Sequence, residues 1–351
     1  MNSKNKLEKY IQYLYCPHCG KKLSRKKDNF NLLICQNKKH SFPINEGIPS
    51  LVDKKLLSKL QKETQKAFNY KWFHPSVEKY GLDGPEMDFQ RKWYLKKYGF
   101  KNNKDFNQFI KSKKNVLDAG CGSGWGAKWF SEKNKKGMIF TADLSKNSAL
   151  LMSENFKNVD NVFSVQADIG KLPFSEGFFD FISCEQVLHH TSNPHKVFLH
   201  LLSRLKKGGV FCFYLYKKKA LLRELADTHI REKTVKMSQK ECYRFSEAIT
   251  LLGRSLSRLN VKLNIPKDIP LLGIKKGTCD LQRFIYWNFL KCFFNEEWGF
   301  HRSVIVNFDW YSPKTAFRYD EKEIKQWVKD EKLKLLNFYV DDACIGVKVE
   351  K

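Results

Sequence analysis

Three closely spaced glycines, preceded by an acid, are the residues in this sequence best suited to binding a nucleotide-like ligand. The stretch V-L-D-A-G-C-G-S-G, residues 116–124, places Asp118 just before glycines on alternate positions. Glycines at this spacing leave the backbone bare, so a ligand can approach it closely. A dinucleotide-binding turn would need a further glycine at position 125, which is tryptophan here. The spacing therefore favours a different ligand.

Two more acids lie at the ends of predicted strands, where they can meet that ligand. Asp143 ends the strand predicted after the glycines, a position from which a carboxylate can accept hydrogen bonds from both ribose hydroxyls. Asp168 follows the next strand, where it can receive an exocyclic adenine amine, and Asp118 would face a cationic group. A ligand with adenine, ribose and a charged amino-acid tail satisfies all three acids. We therefore predict S-adenosylmethionine as the ligand.

Strand and helix patterns alternate from residue 113 onward, which predicts an α/β fold with a Rossmann-like doubly wound parallel sheet. One helix is well marked, with Asn193 as N-cap, Pro194 in the first turn and Gly208 just past its end. A later helix is predicted over residues 321–331. The predicted strands cover residues 115–118, 138–143, 162–166, 179–184, 209–216, 335–340 and 344–349.

Residues 113–216 resemble class I S-adenosylmethionine-dependent methyltransferases. The resemblance rests on five motifs in order: VLDAGCGSG, TADLS, VQADIGKLPF, FDFISCEQVLHH and LSRLKKGGVFCFYLY. It implies that the second and third motifs hold the ribose and the adenine, and that the fourth lies beside the methyl group. The cofactor-binding residues that it implies are Asp118, Gly120, Cys121, Gly122, Gly124, Asp143, Leu144, Asp168, Ile169, Glu185 and Gln186.

Methyl transfer from a sulfonium is an in-line displacement whose leaving group needs no activation. Positioning and desolvation are therefore expected to supply most of the acceleration. An amine or hydroxyl acceptor would also need a nearby base. The candidate catalytic residues are Glu185, His189 and His190, with Asp309 or Tyr311 as alternatives from a later region.

The first segment contains a metal-ligand pattern, in which Cys16 and Cys19 are followed by Cys35 and His40. This spacing is typical of a zinc ribbon, and four protein ligands would make a closed, structural Zn2+ site. His18 is a rival ligand. The segment resembles the ribbon that precedes the methyltransferase domain in ribosomal-RNA guanine N1-methyltransferases, although one extra residue separates Cys35 from His40.

The chain is expected to comprise five parts. An N-terminal zinc ribbon precedes a Lys-rich helical connector, whose aromatic residues could form a lid over the ligand. The catalytic core is interrupted after its fifth strand by a mostly helical insertion, which should set acceptor specificity. In order, the parts are residues 1–52, 53–112, 113–216, 217–313 and 314–351.

The net charge of +27 lies mostly outside residues 113–216. A basic surface attracts polyanions, and the insertion interleaves arginines with aromatics near Arg283 and Arg302, so an RNA base is the acceptor we favour. A small metabolite or glycan precursor is the alternative, because the stretches at 68–72, 187–191 and 308–313 resemble bacterial methyltransferases of mostly unassigned substrate. A non-catalytic cofactor-binding adaptor is the third hypothesis.

The sequence contains no long apolar run and begins without the apolar block of a signal peptide, which predicts a cytoplasmic protein with no transmembrane segment. Its ten cysteines are then expected to be reduced thiols or metal ligands. The sequence leaves the oligomeric state open.

Overall fold

The structure of the chain, a computed structural model, describes residues 3–53, 55, 57–73 and 82–351. The N-terminal segment is a helix followed by a small antiparallel sheet. Its elements are α1 (Ser3–Ile11), β1 (Leu23–Lys26), β2 (Asn29–Cys35), β3 (Ser41–Asn45) and β4 (Ile48–Pro49). Strand β2 ends at Cys35 and so positions this cysteine in the cluster described below.

The connector predicted over residues 53–112 is helical where the structure describes it, with residues 54, 56 and 74–81 outside the described part. Its helices are α2 (Lys59–Phe73), α3 (Pro85–Lys97) and α4 (Asn103–Lys111). Pro85 suits the first turn of α3, and the Asn102 side chain caps α4 by accepting a hydrogen bond from the Asp105 amide.

The core alternates strands with helices as predicted. Its elements are β5 (Asn115–Ala119), α5 (Trp125–Lys133), β6 (Met138–Asp143), α6 (Lys146–Asn155), β7 (Val162–Gln166), β8 (Phe179–Cys184), α7 (Pro194–Arg204) and β9 (Leu205–Lys217). Every residue of β5 and β7 is buried. Burial on both faces is expected of parallel strands covered by helices.

The insertion is mostly helical, with one two-stranded sheet: α8 (Leu221–Thr234), α9 (Gln239–Arg258), β10 (Lys262–Ile265), β11 (Gly277–Asp280), α10 (Leu281–Asn288) and α11 (Gly299–Tyr311). The chain then returns to the core through β12 (Arg318–Tyr319), α12 (Glu321–Asp330), β13 (Lys334–Val340) and β14 (Cys344–Glu350). In the part of the chain that the structure describes, no helix combines the length and apolar character needed to cross a bilayer.

The central sheet has the order β13-β14-β9-β8-β5-β6-β7, and β12 pairs with β9. Strands β5 to β9 are parallel, whereas β14 is antiparallel to both of its neighbours. The chain runs from β5 to β6 and β7 on one side, then crosses back to β8 and β9 on the other. Ligands bind at such a switch point, outside the carboxyl ends of the strands.

The N-terminal segment from α1 to β4, called the ribbon below, docks on the outer edge of this sheet. Leu7 and Tyr10 of α1 are buried in the same apolar core as β7, and the Tyr10 hydroxyl donates to the Ser164 carbonyl. The chain leaving β4 pairs briefly with the end of β7, where the Leu51 amide donates to the Gln166 carbonyl at 2.8 Å. The ribbon therefore extends the sheet next to the edge at which ligands bind.

The predicted boundary between the marked helix and the fifth strand was wrong. We expected the helix to end just before Gly208, but α7 ends at Arg204 and Leu205 already belongs to β9. Leu205 is extended and fully buried, and it pairs with Phe179 across the sheet. Leu205 thus fits the apolar pattern of the helix in the sequence, although its side chain packs in the sheet.

Candidate active site

One cavity of about 810 Å3 lies at the carboxyl edge of the sheet, between the connector and the insertion. This volume is in the range of ordinary ligand pockets. The residues predicted to bind the cofactor or to act in catalysis that line this cavity are Gly120, Cys121, Gly122, Asp143, Leu144, Asp168, Ile169, Glu185, Gln186 and His190. Asp118, Gly124 and His189, which were predicted with them, lie outside the cavity wall.

The glycine turn has backbone dihedral angles that residues other than glycine adopt only at a cost in free energy. Gly120, Gly122 and Gly124 have φ values of 75°, 53° and 89°. A Cβ atom on Gly122 would lie 2.4 Å from the Trp72 ring, because α2 of the connector packs directly on the turn. The turn thus lines the cavity with backbone atoms, and Trp72 packs against it. Trp72 belongs to the connector whose aromatic residues were predicted as a possible lid.

Asp143 holds the glycine turn in place. Its carboxylate accepts hydrogen bonds from the Gly122 amide at 2.9 Å and the Ser145 amide at 2.8 Å. Burial raises the pKa of this carboxyl above its usual range, against the effect of these two amides. Next to it, the Leu144 carbonyl accepts a hydrogen bond from Gln65 of α2. Asp143 therefore has a structural bond to the turn in addition to its predicted role toward a ribose.

Asp168 is bonded to the connector as well. Its carboxylate accepts a hydrogen bond from the Gln61 amide at 2.7 Å and another from the Gly170 backbone at 2.8 Å. Ile169 lines the cavity beside it and is 5% exposed. A carboxylate next to an apolar side chain suits the amine and the face of an adenine. Gln61 was missed in the sequence, where nothing pairs it with a residue more than a hundred positions away.

Asp118 lies behind the glycine turn. Its carboxylate accepts a hydrogen bond from the Ala127 amide at 2.9 Å, at the start of α5. Burial raises the pKa of Asp118 to about 7, and the nearby Asp143 adds to this increase. Since Asp118 does not line the cavity, we expect it to act on a ligand through the turn and the helix terminus.

Glu185, at the end of β8, is held in a buried ion pair. Lys97 of α3 contacts one carboxylate oxygen, and the Tyr98 hydroxyl donates to the other at 2.5 Å. Lys97 is fully buried, and its ammonium lies 3.8 Å from the centroid of the Trp93 ring. The carboxylate is therefore engaged by connector residues, and Lys97 was missed because no sequence pattern marks it.

The two predicted catalytic histidines have different surroundings. His190 lines the cavity, and its Nδ1 lies 2.6 Å from the Thr315 carbonyl, to which it must donate. Its Nε2 therefore carries a lone pair, and burial lowers the pKa of His190 to about 4, which keeps the ring neutral.

The structure does not support a catalytic role for His189. Its side chain is fully buried outside the cavity wall, against the ring of Tyr216 with a centroid distance of 3.6 Å. Burial holds the pKa of His189 well below its usual range. The two histidines follow one another in a short 3-10 turn, Leu188–His190, and neighbouring residues in such a turn point in different directions.

The insertion lines the other half of the cavity with aromatic and charged side chains. Asp309, a candidate base, forms an ion pair of 2.5 Å with Lys71 of α2. Tyr311, the other candidate from this region, is fully buried and lies outside the wall. Arg302 forms an ion pair with Glu86 of α3. The connector and the insertion are thus bonded to each other across the mouth of the cavity.

The predicted metal ligands also come together. One ligand atom from each of Cys16, Cys19, Cys35 and His40 lies within 4.8 Å of all the others. The His40 amide donates to the Cys35 sulfur at 3.1 Å, as in many sites where backbone amides orient cysteine ligands. The rival His18 stacks on the His40 ring and lies 3.5 Å from the Asp53 carboxylate. The donor set fits a tetrahedral Zn2+ site.

Comparison with known proteins decides the class of the core. Residues 117–213 match the family model described as a methyltransferase domain. Residues 117–213 are therefore similar to a methyltransferase domain. The chain is 30% identical over 138 residues to an uncharacterized chloroplastic methyltransferase of Arabidopsis thaliana. This match covers 37% of the chain and 35% of that protein. The chain is also 29% identical over 130 residues to a ubiquinone/menaquinone biosynthesis C-methyltransferase of Vibrio cholerae. This match covers 35% of the chain and 50% of that protein.

The chain spans about a third to a half of the length of these curated relatives. Among solved structures, it is similar to a SAM dependent methyltransferase from Aquifex aeolicus, with a TM-score of 0.40 and 14% identity over 79% of this chain and 98% of that one. The methyltransferase domain matched by the family model contains the glycine turn, Asp143, Asp168, Glu185 and both histidines, whereas the ribbon, the connector and the insertion lie outside it.

Proposed function

We propose that the chain transfers a methyl group from S-adenosylmethionine to a small molecule that binds in the same cavity. The observation that carries the proposal is that one cavity reaches from the glycine turn and Asp143 to residues of the insertion, such as Trp287 and Asp309. A cofactor and an acceptor that share one cavity can be held in line for displacement.

The motif residues fit the cofactor. Asp143 and Asp168 line the cavity, as do Gly120 and Gly122, where a Cβ atom would collide with Val187 or Trp72. S-adenosylmethionine would supply a methyl group bonded to a sulfonium. When the acceptor attacks this methyl group, the sulfur leaves as a neutral thioether and needs no acid catalysis. Asp143 would bind the ribose hydroxyls, Asp168 and Ile169 the adenine, and Gly120 and Gly122 the methionine part.

The chain's own residues would mainly orient the reactants and exclude water. Trp72 and Gln61 of the connector close the cofactor half, and residues of the insertion close the acceptor half. Among the predicted bases that line the cavity, Glu185 and Asp309 are ion-paired, which leaves the Nε2 lone pair of His190 to accept a proton from an amine or hydroxyl acceptor. Its lowered pKa makes His190 a weak base, so positioning would still supply most of the acceleration. Glu185 is paired with Lys97, so we assign it to positioning.

The small-molecule acceptor is the alternative stated above, and a cavity with the volume of an ordinary ligand pocket is what supports it over RNA. The residues expected to stack on extruded bases line this cavity or pack in its wall: Arg283 lies over the Tyr286 and Phe293 rings. RNA as acceptor, and the adaptor hypothesis, remain predictions that the following experiment separates.

The test is transfer of a radiolabelled methyl group into extracts of a host strain that lacks this gene, with and without ribonuclease. We expect label in the small-molecule fraction, unaffected by ribonuclease. Asp143→Asn should abolish this label, whereas a matched substitution of an exposed acid, Asp330→Asn, should not. Ribonuclease-sensitive label in precipitated RNA would contradict the proposal, and cofactor binding without transfer to either fraction would favour the adaptor.

We further propose that Cys16, Cys19, Cys35 and His40 bind one Zn2+ ion with a structural role. The support is the closed set of four donors and the backbone amide on Cys35. Because this small segment has little apolar core of its own, bound metal would contribute much of its folding energy. The ribbon would then hold the chain that pairs with β7 next to the cofactor site.

A further inference from the structure

Four cationic side chains line the acceptor half of the cavity and are named here the cationic patch: Lys219, Arg223, Arg283 and Lys291. Lys219 follows the end of β9, and Arg223 lies one turn later on α8. Arg283 is on α10, and Lys291 lies just beyond that helix. Since β9 neighbours β8, the patch begins one strand away from Glu185.

The patch is held mainly by neutral oxygens. Lys219 donates to the carbonyls of residues 342 and 343 at 2.6 and 2.8 Å, and Lys291 donates to the Tyr286 hydroxyl at 3.1 Å. Arg283 contacts the Phe294 carbonyl at 3.4 Å. Among the described residues, only Arg223 of the patch has a carboxylate partner within ion-pair distance.

That partner is Asp227, which accepts from the Arg223 Nε at 2.6 Å. Another acid near the patch is Asp341, whose carboxylate already accepts hydrogen bonds from the Trp93 indole, the Tyr339 hydroxyl and two backbone amides. Glu224 accepts a hydrogen bond from the Lys219 backbone amide, but it is ion-paired with Arg318. Glu297 also lines the cavity, but it is exposed. Four cationic side chains thus face the buried Asp227 and the half-buried Asp341, so the patch keeps an excess of positive charge.

This excess is costly without a bound anion. Lys291 is 8% exposed and Arg223 is 1% exposed, so water screens them poorly. Burial lowers the pKa of Lys219 to about 7, and the neighbouring Arg223 and Lys291 add to this decrease. Groups that are held together against their mutual repulsion, inside a cavity, are a common arrangement at functional sites.

We infer that the acceptor carries a phosphate group and that the cationic patch binds it. The inference rests on the proposed function, in which the acceptor enters this cavity. A phosphate group matches the excess of positive charge, and it accepts hydrogen bonds both from an arginine fork and from lysine ammonium groups. A carboxylate carries a smaller charge and fewer acceptor oxygens, so we expect the patch to bind phosphate more tightly. The patch would hold the phosphate beside β9, with the rest of the acceptor extending toward the end of β8.

The test is calorimetric titration of the full chain. S-adenosylhomocysteine is titrated first, and then inorganic phosphate, pyrophosphate and succinate are titrated into the protein saturated with it. We expect phosphate and pyrophosphate to bind, and Lys291→Met to weaken their binding at least tenfold without changing the affinity for S-adenosylhomocysteine. Unchanged binding of S-adenosylhomocysteine also shows that the variant is folded. Arg283→Gln should act in the same direction, and Lys291→Arg should restore part of the binding.

The matched control is Lys218→Met. Lys218 neighbours the patch in sequence, but it is exposed and pairs with Asp320 and Glu323 outside the cavity. Equal phosphate affinity in the Lys291→Met and Lys218→Met proteins would overturn the inference, and so would tighter binding of succinate than of phosphate. Phosphate binding that depends on Lys291 in a protein that fails to bind S-adenosylhomocysteine would support the patch and count against the proposed function.

Discussion

Replacement of Lys97 by methionine tests the link between the connector and the active site. Lys97 is fully buried, and it is the only cation in ion-pair contact with Glu185 among the described residues; the Glu185 side chain is 5% exposed. Methionine keeps most of the volume of the lysine stem and removes the charge. The Glu185 carboxylate would then retain the Tyr98 hydroxyl and a weak contact from Gln186 at 3.5 Å. Removing one partner of a buried ion pair costs about 3–5 kcal/mol.

The assay is urea unfolding followed by tryptophan fluorescence. We expect Lys97→Met to lower the free energy of unfolding by about 3–5 kcal/mol, and Glu185→Gln to lower it by a similar amount, since it leaves the ammonium unpaired. The double variant should be more stable than either single one, because it leaves no buried charge without a partner.

The control is Lys96→Met on the same helix. Lys96 is exposed, so its substitution should change the free energy of unfolding by less than about 0.5 kcal/mol. If the Lys97→Met protein were as stable as the Lys96→Met protein, the buried ion pair would not exist as described. The assignment of Glu185 to positioning would then lose its basis.

Three further predictions concern separate parts of the chain. Purified protein should contain about one zinc ion per chain, and Cys19→Ser should lose the metal and melt at a lower temperature; metal-free wild-type protein with unchanged melting would exclude the site. Asp143→Asn should weaken binding of S-adenosylhomocysteine about 10- to 100-fold in calorimetry, because one acceptor for the Gly122 or Ser145 amide becomes a donor; an unchanged dissociation constant would reject the assignment. Burial lowers the pKa of His200 to about 4, so this side chain is protonated near pH 4 in the folded state but near pH 6.5 in the unfolded state. Wild-type protein should therefore lose about 2 kcal/mol more stability than His200→Gln as pH falls from 6.5 to 4, and parallel curves for the two proteins would contradict this.

The sequence predicted the parts of the site that depend on local order. Asp143 ends one buried strand, and Asp168 closely follows the next one. Because parallel strands bring their carboxyl ends to one edge of the sheet, correct prediction of the strands was enough to place both carboxylates. The glycine turn follows from the same reasoning, because a bare backbone at the end of β5 can lie only at that edge.

The parts that sequence reasoning missed depend on contacts between distant segments. Gln61 bonds to Asp168, and Lys97 bonds to Glu185, across separations that no periodic pattern encodes. His189 and His190 were predicted together because they are adjacent and of the same type. Which of two neighbours in a 3-10 turn faces the cavity is decided by packing, here by the ring of Tyr216 against His189.

The bonds from the connector have a consequence for how variants should be interpreted. Carboxylates at both ends of the predicted cofactor site are bonded by connector side chains, Asp168 by Gln61 and Glu185 by Lys97, and Trp72 of the same segment covers Gly122. A substitution in the connector will therefore weaken cofactor binding although it touches none of the motifs. Because the connector also pairs with the insertion through Glu86 and Arg302, such a substitution should change acceptor binding as well. Loss of both affinities in a connector variant would accordingly indicate displaced helices, whereas loss of phosphate binding alone indicates the cationic patch.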